Sequence, residues 1–403
     1  MGKEKKNRPT VQYAVIQGLY WGSFGCIFAF ATVFLLSHGL TNSQAGAVIA
    51  AGSTLSAALQ PIAGSIADRN GGSILHRMLI LLSCVMILLC GFLLSFGKIF
   101  WIVALFYGLL ITFIQIITPL TYALAMTMIR HGVRINFGIC RGIGSVIYAV
   151  FTSALGILTE KLGMDAVIWA VLLVYMLMIP AVAFFRFKGH GETGGTGLER
   201  PTPGSVPILT FLLEHRRFAG VLAGNALVFI SYNILGDFLY QIVARLGAGS
   251  REMGFAVSLA AVCELPALFL LRQISSKFRS GTLLKVSECF MFLKALGLLL
   301  SGSMYGVYGT MLIQMFGYGL FAGISVYYVS DTVEPENQTR GQSLMTMTIT
   351  VGMVLGGLLG GLLLDRTSVS VMLGVSAGIA LAGAVTVVFS AEKGLRRNAQ
   401  NMQ

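Results

Sequence analysis

The segment from Asn136 to Tyr148, Asn-Phe-Gly-Ile-Cys-Arg-Gly-Ile-Gly-Ser-Val-Ile-Tyr, contains the residues whose chemistry best suits a bound ligand. Arg141 lies in an apolar run that continues to about residue 159, and a charge at the centre of a membrane-spanning helix costs about 2.5–3.5 kcal/mol on insertion scales. Tyr148 lies seven residues later, so a helix brings it to the same face two turns deeper. Gly144 and Ser145 share that face and should leave open space beside both side chains.

This arginine and this ring suggest a polar, ring-shaped ligand, because a guanidinium donates hydrogen bonds while an aromatic face stacks on a ring. The alternative is that Arg141 snorkels. It lies only about 7 Å from the cytoplasmic start of the run, and its long stem could reach water. We interpret Arg141 and Tyr148 as lining a cavity, with snorkelling as the competing interpretation.

Two opposite charges fall within apolar runs of the second half of the chain. Glu264 is in mid-run and is followed by Pro266, which bends helices, and Lys294 lies in the next run. At about 1.5 Å per residue, they lie about 15 Å and about 12 Å from the outer ends of their helices. Since pairing stabilises charges inside a membrane, we predict that Glu264 and Lys294 interact, either in a ligand site or as a structural ion pair.

Other polar residues in the apolar runs are weaker candidates for ligand binding. Asn233 and Asp237 recur at helical spacing in the seventh run, so this stripe should face protein or water instead of lipid. Asp237 lies in the outer half and is either a ligand contact or a structural carboxylate at the interface. Gln314 in the tenth run suits ligand binding or a helix–helix contact. Glu288, six residues before Lys294, is assigned to a helix interface.

The composition is that of a protein that crosses a membrane many times. Of the 403 residues, 56% are hydrophobic and 11% are charged, whereas soluble domains carry about 25% charged residues. The charged N-terminus has no cleavage site of small residues, so we expect no removable signal peptide. Most of the 28 lysines and arginines lie in segments on the side of the N-terminus, which predicts cytoplasmic termini. This topology accounts for the net charge of +12, and we expect no nucleic acid partner.

Apolar runs of about 20 residues, long enough to cross a bilayer, recur along the chain. They cover residues 11–36, 43–67, 78–97, 100–128, 137–159, 166–186, 218–243, 252–271, 281–302, 306–330, 342–364 and 370–391. The polar stretch after the sixth run predicts three regions. These are an N-terminal six-helix bundle over 1–187, a cytoplasmic linker over 188–217, and a C-terminal six-helix bundle with a cytoplasmic tail over 218–403. In the eleventh run, Gly352-x-x-x-Gly356 and Gly357-x-x-x-Gly361 predict close helix packing.

Several function classes lack their usual signatures in this sequence. The five histidines lie in loops or at the ends of runs without metal-ligand spacing, and no glycine-rich phosphate loop is followed by Lys-Ser or Lys-Thr. No nucleophile and base share one interface, so we expect neither an enzyme nor a bound cofactor or metal. A receptor would need a sensor domain or a signalling tail, and a passive channel fits poorly with two halves of six runs. The six cysteines fall in apolar runs and are not expected to form disulfides.

The loop after the second run resembles a signature of the major facilitator superfamily. It reads Gly64-Ser-Ile-Ala-Asp68-Arg69-Asn-Gly71, which matches the first half of that superfamily's glycine–aspartate–arginine motif. The second basic cluster of the motif is reduced to His-Arg here. The resemblance implies that Gly64, Asp68 and Arg69 form a conformational gate.

The more specific resemblance is to the lactose permease and oligosaccharide:proton symporter group. Residues 46–64 are similar to helix 2 of that group, and residues 136–144 match the segment that holds its sugar-binding arginine. Tyr148 falls where the group has a tryptophan that stacks on the sugar ring. Glu264 and Lys294 fall on the helix 8 glutamate and the helix 9 arginine.

The sequence departs from that group where protons are coupled. The fourth run has no acidic residue, so the usual carboxylate partner of Arg141 is missing, and the eleventh run has no lysine. The histidine and glutamate of the tenth helix are replaced by Gln314 and Gly317. The acids left to carry a proton are Glu264, Asp237 and, less directly, Glu288.

The resemblance implies an all-α membrane protein with the major facilitator fold, in which twelve transmembrane helices form two six-helix bundles built of inverted repeats and substrate binds near the membrane centre. It implies a secondary active transporter that takes up a small polar solute, such as a sugar, glycoside or nucleoside, by alternating access. Proton symport is the default of the family. Arg141 and Glu264 would bind hydroxyl groups, Tyr148 would stack on a ring, and Lys294 would hold Glu264.

Two alternatives remain open for the transported solute and its coupling. Arg141 without an acidic partner, together with Lys294, could favour an anionic substrate such as an aromatic acid. The missing proton residues could instead mean a proton-independent facilitator. In each case we expect a monomer in the inner, or plasma, membrane whose partners are the small-molecule substrate, the lipid bilayer and, for a symporter, protons.

Overall fold

The computed structural model of the protein describes residues 2–69, 72–97, 99–130, 133, 135–185, 208–334 and 337–392. The regular structure within these ranges is helical and includes no strand. The chain divides into two units, Met1–Pro203 and Gly204–Gln403, and each is described by itself below. The all-helical class predicted from the apolar runs is confirmed.

The helices of the first unit follow the first six apolar runs. They are α1 (Gly2–Ala29), α2 (Ala31–Ser37), α3 (Asn42–Arg69), α4 (Gly72–Phe96), α5 (Phe100–Arg130), α6 (Phe137–Leu162) and α7 (Ala166–Phe184). α1 and α2 meet at a bend of 50°. α6 begins directly after Asn136, whose side-chain oxygen accepts a hydrogen bond from the Ile139 N–H at 3.1 Å. This cap satisfies one of the open donors at the helix start and thereby fixes where α6 begins.

The helices of the second unit follow the last six apolar runs. They are α8 (Ile208–Glu214), α9 (Arg216–Asp237), α10 (Leu239–Ala244), α11 (Ser250–Lys277), α12 (Ser280–Leu300), α13 (Met304–Leu312), α14 (Tyr318–Thr332), α15 (Gln338–Arg366) and α16 (Val369–Ser390). A 3₁₀ turn, Ile313–Met315, and the two residues after it separate α13 from α14. The tenth apolar run is therefore a broken helix.

The C-terminal end of the predicted linker is a packed helix. Residues 186–207 lie outside the described residues, but α8 forms within the predicted linker 188–217. Its Phe211 is 1% exposed and belongs to a hydrophobic core with Phe218 and Leu284. Leu212 also packs against this core, whereas Leu213 is exposed. The bundle boundaries at 187 and 218 stay predictions.

The number of helices that could cross a membrane is close to the twelve predicted from the sequence. Ten helices in the described residues are long and apolar enough to cross a membrane, or eleven if α1 and α2 form one bent span. α12 supplies the remaining run of the twelve predicted. It differs from the others because Lys285, Glu288 and Lys294 lie among its 21 residues.

Close helix packing in the second unit depends on glycine. Gly224 on α9 and Gly383 on α16 face each other, since a Cβ atom added to Gly383 would lie 2.6 Å from the backbone oxygen of Gly224. On α15, a Cβ atom added to Gly352 would lie 2.5 Å from the Cβ atom of Phe229, and one added to Gly356 would lie 2.8 Å from a backbone oxygen of α9. The predicted packing role of Gly352 and Gly356 is thus confirmed.

We expect Gly383→Ala to destabilise the protein by about 1–3 kcal/mol, the usual cost of overpacking a close contact. The thermal midpoint of the purified protein in detergent measures the change. Gly374→Ala in the same helix is the matched control, because a Cβ atom there meets nothing within 4 Å. Alanine also favours a helix over glycine by about 0.8–1.0 kcal/mol. An unchanged midpoint for Gly383→Ala would contradict the close contact between α9 and α16.

Candidate functional site

Arg141 in the first unit rests on an aromatic face instead of a carboxylate. The carbon of its guanidinium lies 3.9 Å from the ring centroid of Trp21 on α1, within the range of a cation–π contact. Its Nη1 donates a hydrogen bond to Ser145 Oγ at 2.7 Å. Because Ser145 is one turn further along α6, the guanidinium points towards the middle of the helix. A side chain that snorkels to the helix start would point the other way.

A chain of hydrogen bonds along α1 holds the Trp21 ring in place. Trp21 Nε1 donates to Gln17 Oε1 at 3.2 Å, and Gln17 Nε2 donates to the Tyr13 hydroxyl at 2.6 Å. The Tyr13 hydroxyl donates to the backbone oxygen of Thr121 on α5 at 3.1 Å. These three residues of α1 are spaced by four, so they lie on one face of the helix. The result is a fixed indole platform beneath Arg141.

The open space expected beside Gly144 is filled by α1. A Cβ atom added to Gly144 would lie 2.6 Å from Trp21 Cδ1, so this glycine makes room for the indole ring. On the other helix, a Cβ atom added to Gly25 would lie 3.1 Å from Tyr148 Cδ2. Each helix therefore uses a glycine to accept an aromatic ring of its partner. Arg141 and Tyr148 both contact α1, as the shared face predicts, but the expectation of empty space at Gly144 is wrong.

We expect the ring of Tyr148, more than its hydroxyl, to bind the transported solute. Tyr148→Phe should then change uptake little, whereas Tyr148→Ala should reduce it severely. Stacking on an aromatic ring contributes about 0.5–1.5 kcal/mol beyond area burial. Tyr148→Leu, which keeps much of the volume that packs beside Gly25, separates the loss of stacking from the loss of packing. If Tyr148→Phe is as damaging as Tyr148→Ala, the hydroxyl matters and the stacking role fails.

In the second unit, Gln314 joins the two predicted charges. Lys294 Nζ on α12 donates to Gln314 Oε1 at 2.6 Å. Gln314 Nε2 donates to Glu264 Oε1 on α11 at 2.7 Å and to the Tyr232 hydroxyl on α9 at 2.8 Å. We call these four residues the Gln314 cluster. The amide of Gln314 thus links Glu264 and Lys294, and their predicted direct pairing stays a prediction.

The position of Gln314 explains why it reaches three helices. It lies in the 3₁₀ turn that interrupts the tenth run, and it is 3% exposed. An amide offers an acceptor oxygen to the cation and donor hydrogens to the carboxylate, so one side chain satisfies both charges. Lys294 Nζ also lies 5.5 Å from the centroid of the Tyr232 ring. That ring stacks on Tyr318 with centroids 5.2 Å apart and planes inclined by 16°.

The two other predicted residues of α9 are Asn233 and Asp237. Asn233 Nδ2 donates to the Phe229 backbone oxygen of its own helix at 2.7 Å, and its Cβ atom lies against Gly356 of α15. Asp237 is the half-buried last residue of α9. Their predicted roles in substrate binding, and that of Asp237 in proton coupling, stay predictions.

The predicted conformational gate lies at the end of α3. A Cβ atom added to Gly64 would meet nothing within 4 Å. The side chains of Asp68 and Arg69 lie outside the described residues. The gate therefore stays a prediction.

Sequence reasoning named some of these residues without their roles. The spacing of four between Tyr13, Gln17 and Trp21 is the sequence signal that places them on one face of α1. Tyr232 directly precedes Asn233 on α9, and no sequence signal places it in a hydrogen-bonded cluster. No sequence signal places Gln314 between Glu264 and Lys294, because position along a helix does not define which helices are neighbours.

Comparisons with solved structures show the fold. The nucleoside transporter NupG is 12% identical with a TM-score of 0.77, covering 95% of this chain and 98% of its own. An auto-inhibited POT family peptide transporter is 11% identical with a TM-score of 0.72 over 98% of both chains. A bacterial homologue of the human lysosomal transporter Spinster, inward-facing and unoccupied, is 15% identical with a TM-score of 0.61 over 96% of this chain and 95% of its own.

The family is shown by the sequence itself. None of the curated proteins matches the chain. Residues 11–373, however, match the family described as MFS_1 like. This match covers most of the chain and includes both units, α1 to α15 and the start of α16. Together with the major facilitator structures above, it establishes that the chain belongs to the MFS_1 like family of major facilitator transporters.

Proposed function

We propose that this protein is a secondary active transporter that takes up a small polar solute bearing a ring, of the sugar, glycoside or nucleoside class, by alternating access. The main support is the state of Arg141. Arg141 donates one N–H to Ser145 and lies on the Trp21 ring. Its other N–H groups donate to no protein acceptor in the described residues. A guanidinium has five N–H donors. Several are therefore left for the hydroxyl or carbonyl oxygens of a solute.

The Gln314 cluster contains a carboxylate that can accept hydrogen bonds from a solute. Glu264 accepts a hydrogen bond from Gln314 through Oε1, and a carboxylate also accepts hydrogen bonds from hydroxyl groups. Hydroxyl groups both donate and accept hydrogen bonds, so a solute rich in hydroxyls suits a carboxylate as well as a guanidinium. The stacked rings of Tyr232 and Tyr318 add apolar surface beside the cluster. The fold shared with the nucleoside transporter NupG is consistent with a nucleoside in this class.

A carboxylate solute is the second candidate, and one observation favours it. The contacts of Arg141 are a hydroxyl and an indole ring, both neutral. Its positive charge is therefore not balanced by an acid in the described part of the first unit. A carboxylate can pair with a guanidinium through two parallel hydrogen bonds. An aromatic acid would also stack on a ring.

A ligand screen followed by uptake separates these candidates. Purified protein is heated with neutral sugars, nucleosides or aromatic acids, because a ligand that binds the folded state raises the thermal midpoint. Hits are then tested as competitors of labelled solute in vesicles. We expect a neutral ring-bearing solute to raise the midpoint and to compete in a saturable manner. Competition by aromatic acids alone would establish the second candidate. Uptake that never saturates would contradict a transporter of either kind.

The proposal includes three further features. The protein lies in the inner, or plasma, membrane with both termini in the cytoplasm, as the distribution of lysine and arginine predicts. It acts as a monomer. Uptake is coupled to protons, although the acids that carry them in the lactose permease group are largely replaced here.

A further inference from the structure

Glu288 on α12 is a buried carboxylate that belongs neither to the Gln314 cluster nor to the contacts of Arg141. Its side chain is 0% exposed, and neither carboxylate oxygen has a hydrogen-bond partner in the part of the chain that the structure describes. Leu284 and Met291, about one turn before and after it, belong to the hydrophobic core of the second unit. Glu288 therefore lies in an apolar region within a single unit.

The ionisable residues around Glu288 do not pair with it. Among the described residues, the elements packed most closely against α12 are α9, α13, α14, α16 and the 3₁₀ turn Ile313–Met315. α16 and the turn contain no ionisable residue. The ionisable residues of α9, α13, α14 and α12 itself are Arg216, Arg217, Tyr232, Asp237, Tyr305, Tyr308, Tyr318, Tyr327, Tyr328, Asp331, Lys285, Cys289 and Lys294. Among the described residues, none of them forms a hydrogen bond with a Glu288 oxygen.

In these surroundings, a proton is the ligand that suits Glu288 best. An ionised carboxylate here has a large desolvation cost that no partner offsets, so the protonated form is favoured. A metal cation needs several oxygen ligands, and the described residues contain no group of three acidic, histidine or cysteine side chains that could hold one. A residue that only fills space would be apolar, as Met291 is, because a neutral acid without partners still lowers stability.

We propose that Glu288 is a proton-binding site, which holds a proton in the arrangement described here and releases it when movement of α12 brings the carboxylate to water or to a hydrogen-bond donor. The proposal rests on the proposed transport function and names its coupling residue. Lys294 lies six residues further along the same helix, about 9 Å along the axis, and bonds to Gln314. A solute that binds the Gln314 cluster therefore acts on Glu288 through α12. Glu264 is left to bind solute.

An infrared experiment without any solute tests whether Glu288 holds a proton. The carbonyl band of a protonated carboxyl group is recorded for the purified protein in lipid vesicles near neutral pH. We expect this band to be weaker in Glu288→Met than in the wild type. Glu160→Gln, which removes an exposed carboxyl group of α6, should leave the band unchanged. Equal bands in the wild type and Glu288→Met would overturn the proposal.

A transport experiment tests coupling. In lightly buffered vesicles, Glu288→Gln and Glu288→Met should retain saturable solute exchange but lose solute-driven proton movement to background, while Glu160→Gln behaves as the wild type. The thermal midpoint of Glu288→Met should rise, which excludes unfolding as the cause. Proton movement at the wild-type level in Glu288→Met would overturn the proposal, and so would saturable uptake by the wild type without proton movement. If the wild type takes up no polar solute, the proposed function fails, and the infrared band alone decides whether Glu288 binds a proton.

Discussion

Arg141→Lys should raise the apparent KM for the transported solute by about 10–100-fold, since hydrogen bonds to charged groups contribute about 1.5–3 kcal/mol and each 1.4 kcal/mol is tenfold in affinity. Lysine keeps the charge but loses the planar fork of donors. It cannot lie flat on Trp21, 3.9 Å from the ring centroid, and donate to Ser145 at the same time. Initial rates of uptake into vesicles, measured against solute concentration and corrected for the amount of folded protein, give the KM.

Two variants control the interpretation of Arg141→Lys. Arg251→Lys makes the same change at an exposed position of α11 and should leave the KM unchanged. Trp21→Leu removes the platform but leaves the guanidinium, so it should raise the KM by less than Arg141→Lys if Trp21 acts by positioning Arg141. Near-normal uptake by Arg141→Lys would mean that the arginine does not contact the solute.

Gln314→Leu should abolish transport and lower the stability of the second unit. The variant leaves Lys294 without the acceptor that lies 2.6 Å away and leaves Glu264 without its amide donor. Removing one partner of a buried charge typically costs about 3–5 kcal/mol, because the remaining charge is not compensated. The thermal midpoint in detergent and solute uptake in vesicles measure the two effects.

A second substitution distinguishes the structural role of Gln314 from its role in transport. In the double variant Gln314→Leu and Lys294→Met, the cation that lost its acceptor is gone, so much of the stability should return. Transport should remain absent, because the charged donor beside Glu264 is also lost. A double-mutant cycle gives the coupling free energy between the two residues. Wild-type stability of Gln314→Leu alone would show that the amide does not hold Lys294.

Much of the fold could be predicted from the sequence because the signals are local. Hydrophobic runs of the length of a bilayer define the spans, and the glycine spacing at Gly352 and Gly356 indicates a close helix contact. The apolar residues of Ile208–Glu214 are a sequence signal for the helix at the end of the linker. The polar composition of the predicted linker 188–217 as a whole obscured this signal. α12 shows the limit of hydropathy, since its three charges reduce the apolar signal.

The candidate site was predicted less completely because it depends on contacts between helices. A helical repeat places Arg141 and Tyr148 on one face, and the structure agrees that both contact α1. The repeat does not define what fills the space next to that face. The sequence therefore predicts open space beside Gly144, whereas Trp21 fills it in the structure. Counting residues from the outer ends of the helices predicts a similar membrane depth for Glu264 and Lys294. Only the three-dimensional arrangement of α11, α12 and the broken tenth helix places Gln314 between them.

The break between α13 and α14 has a mechanical consequence. Two short helices joined by a 3₁₀ turn can change their mutual angle without breaking a continuous ladder of backbone hydrogen bonds, so we expect residues 313–317 to act as a hinge. Gln314 lies in the hinge itself, and a rotation there would alter the separation of its amide from Lys294 or Glu264 while α11 and α12 stay fixed. Amide hydrogens of this segment should therefore exchange with deuterium faster than those of the two flanking helices, and a bound solute that engages the amide should slow that exchange.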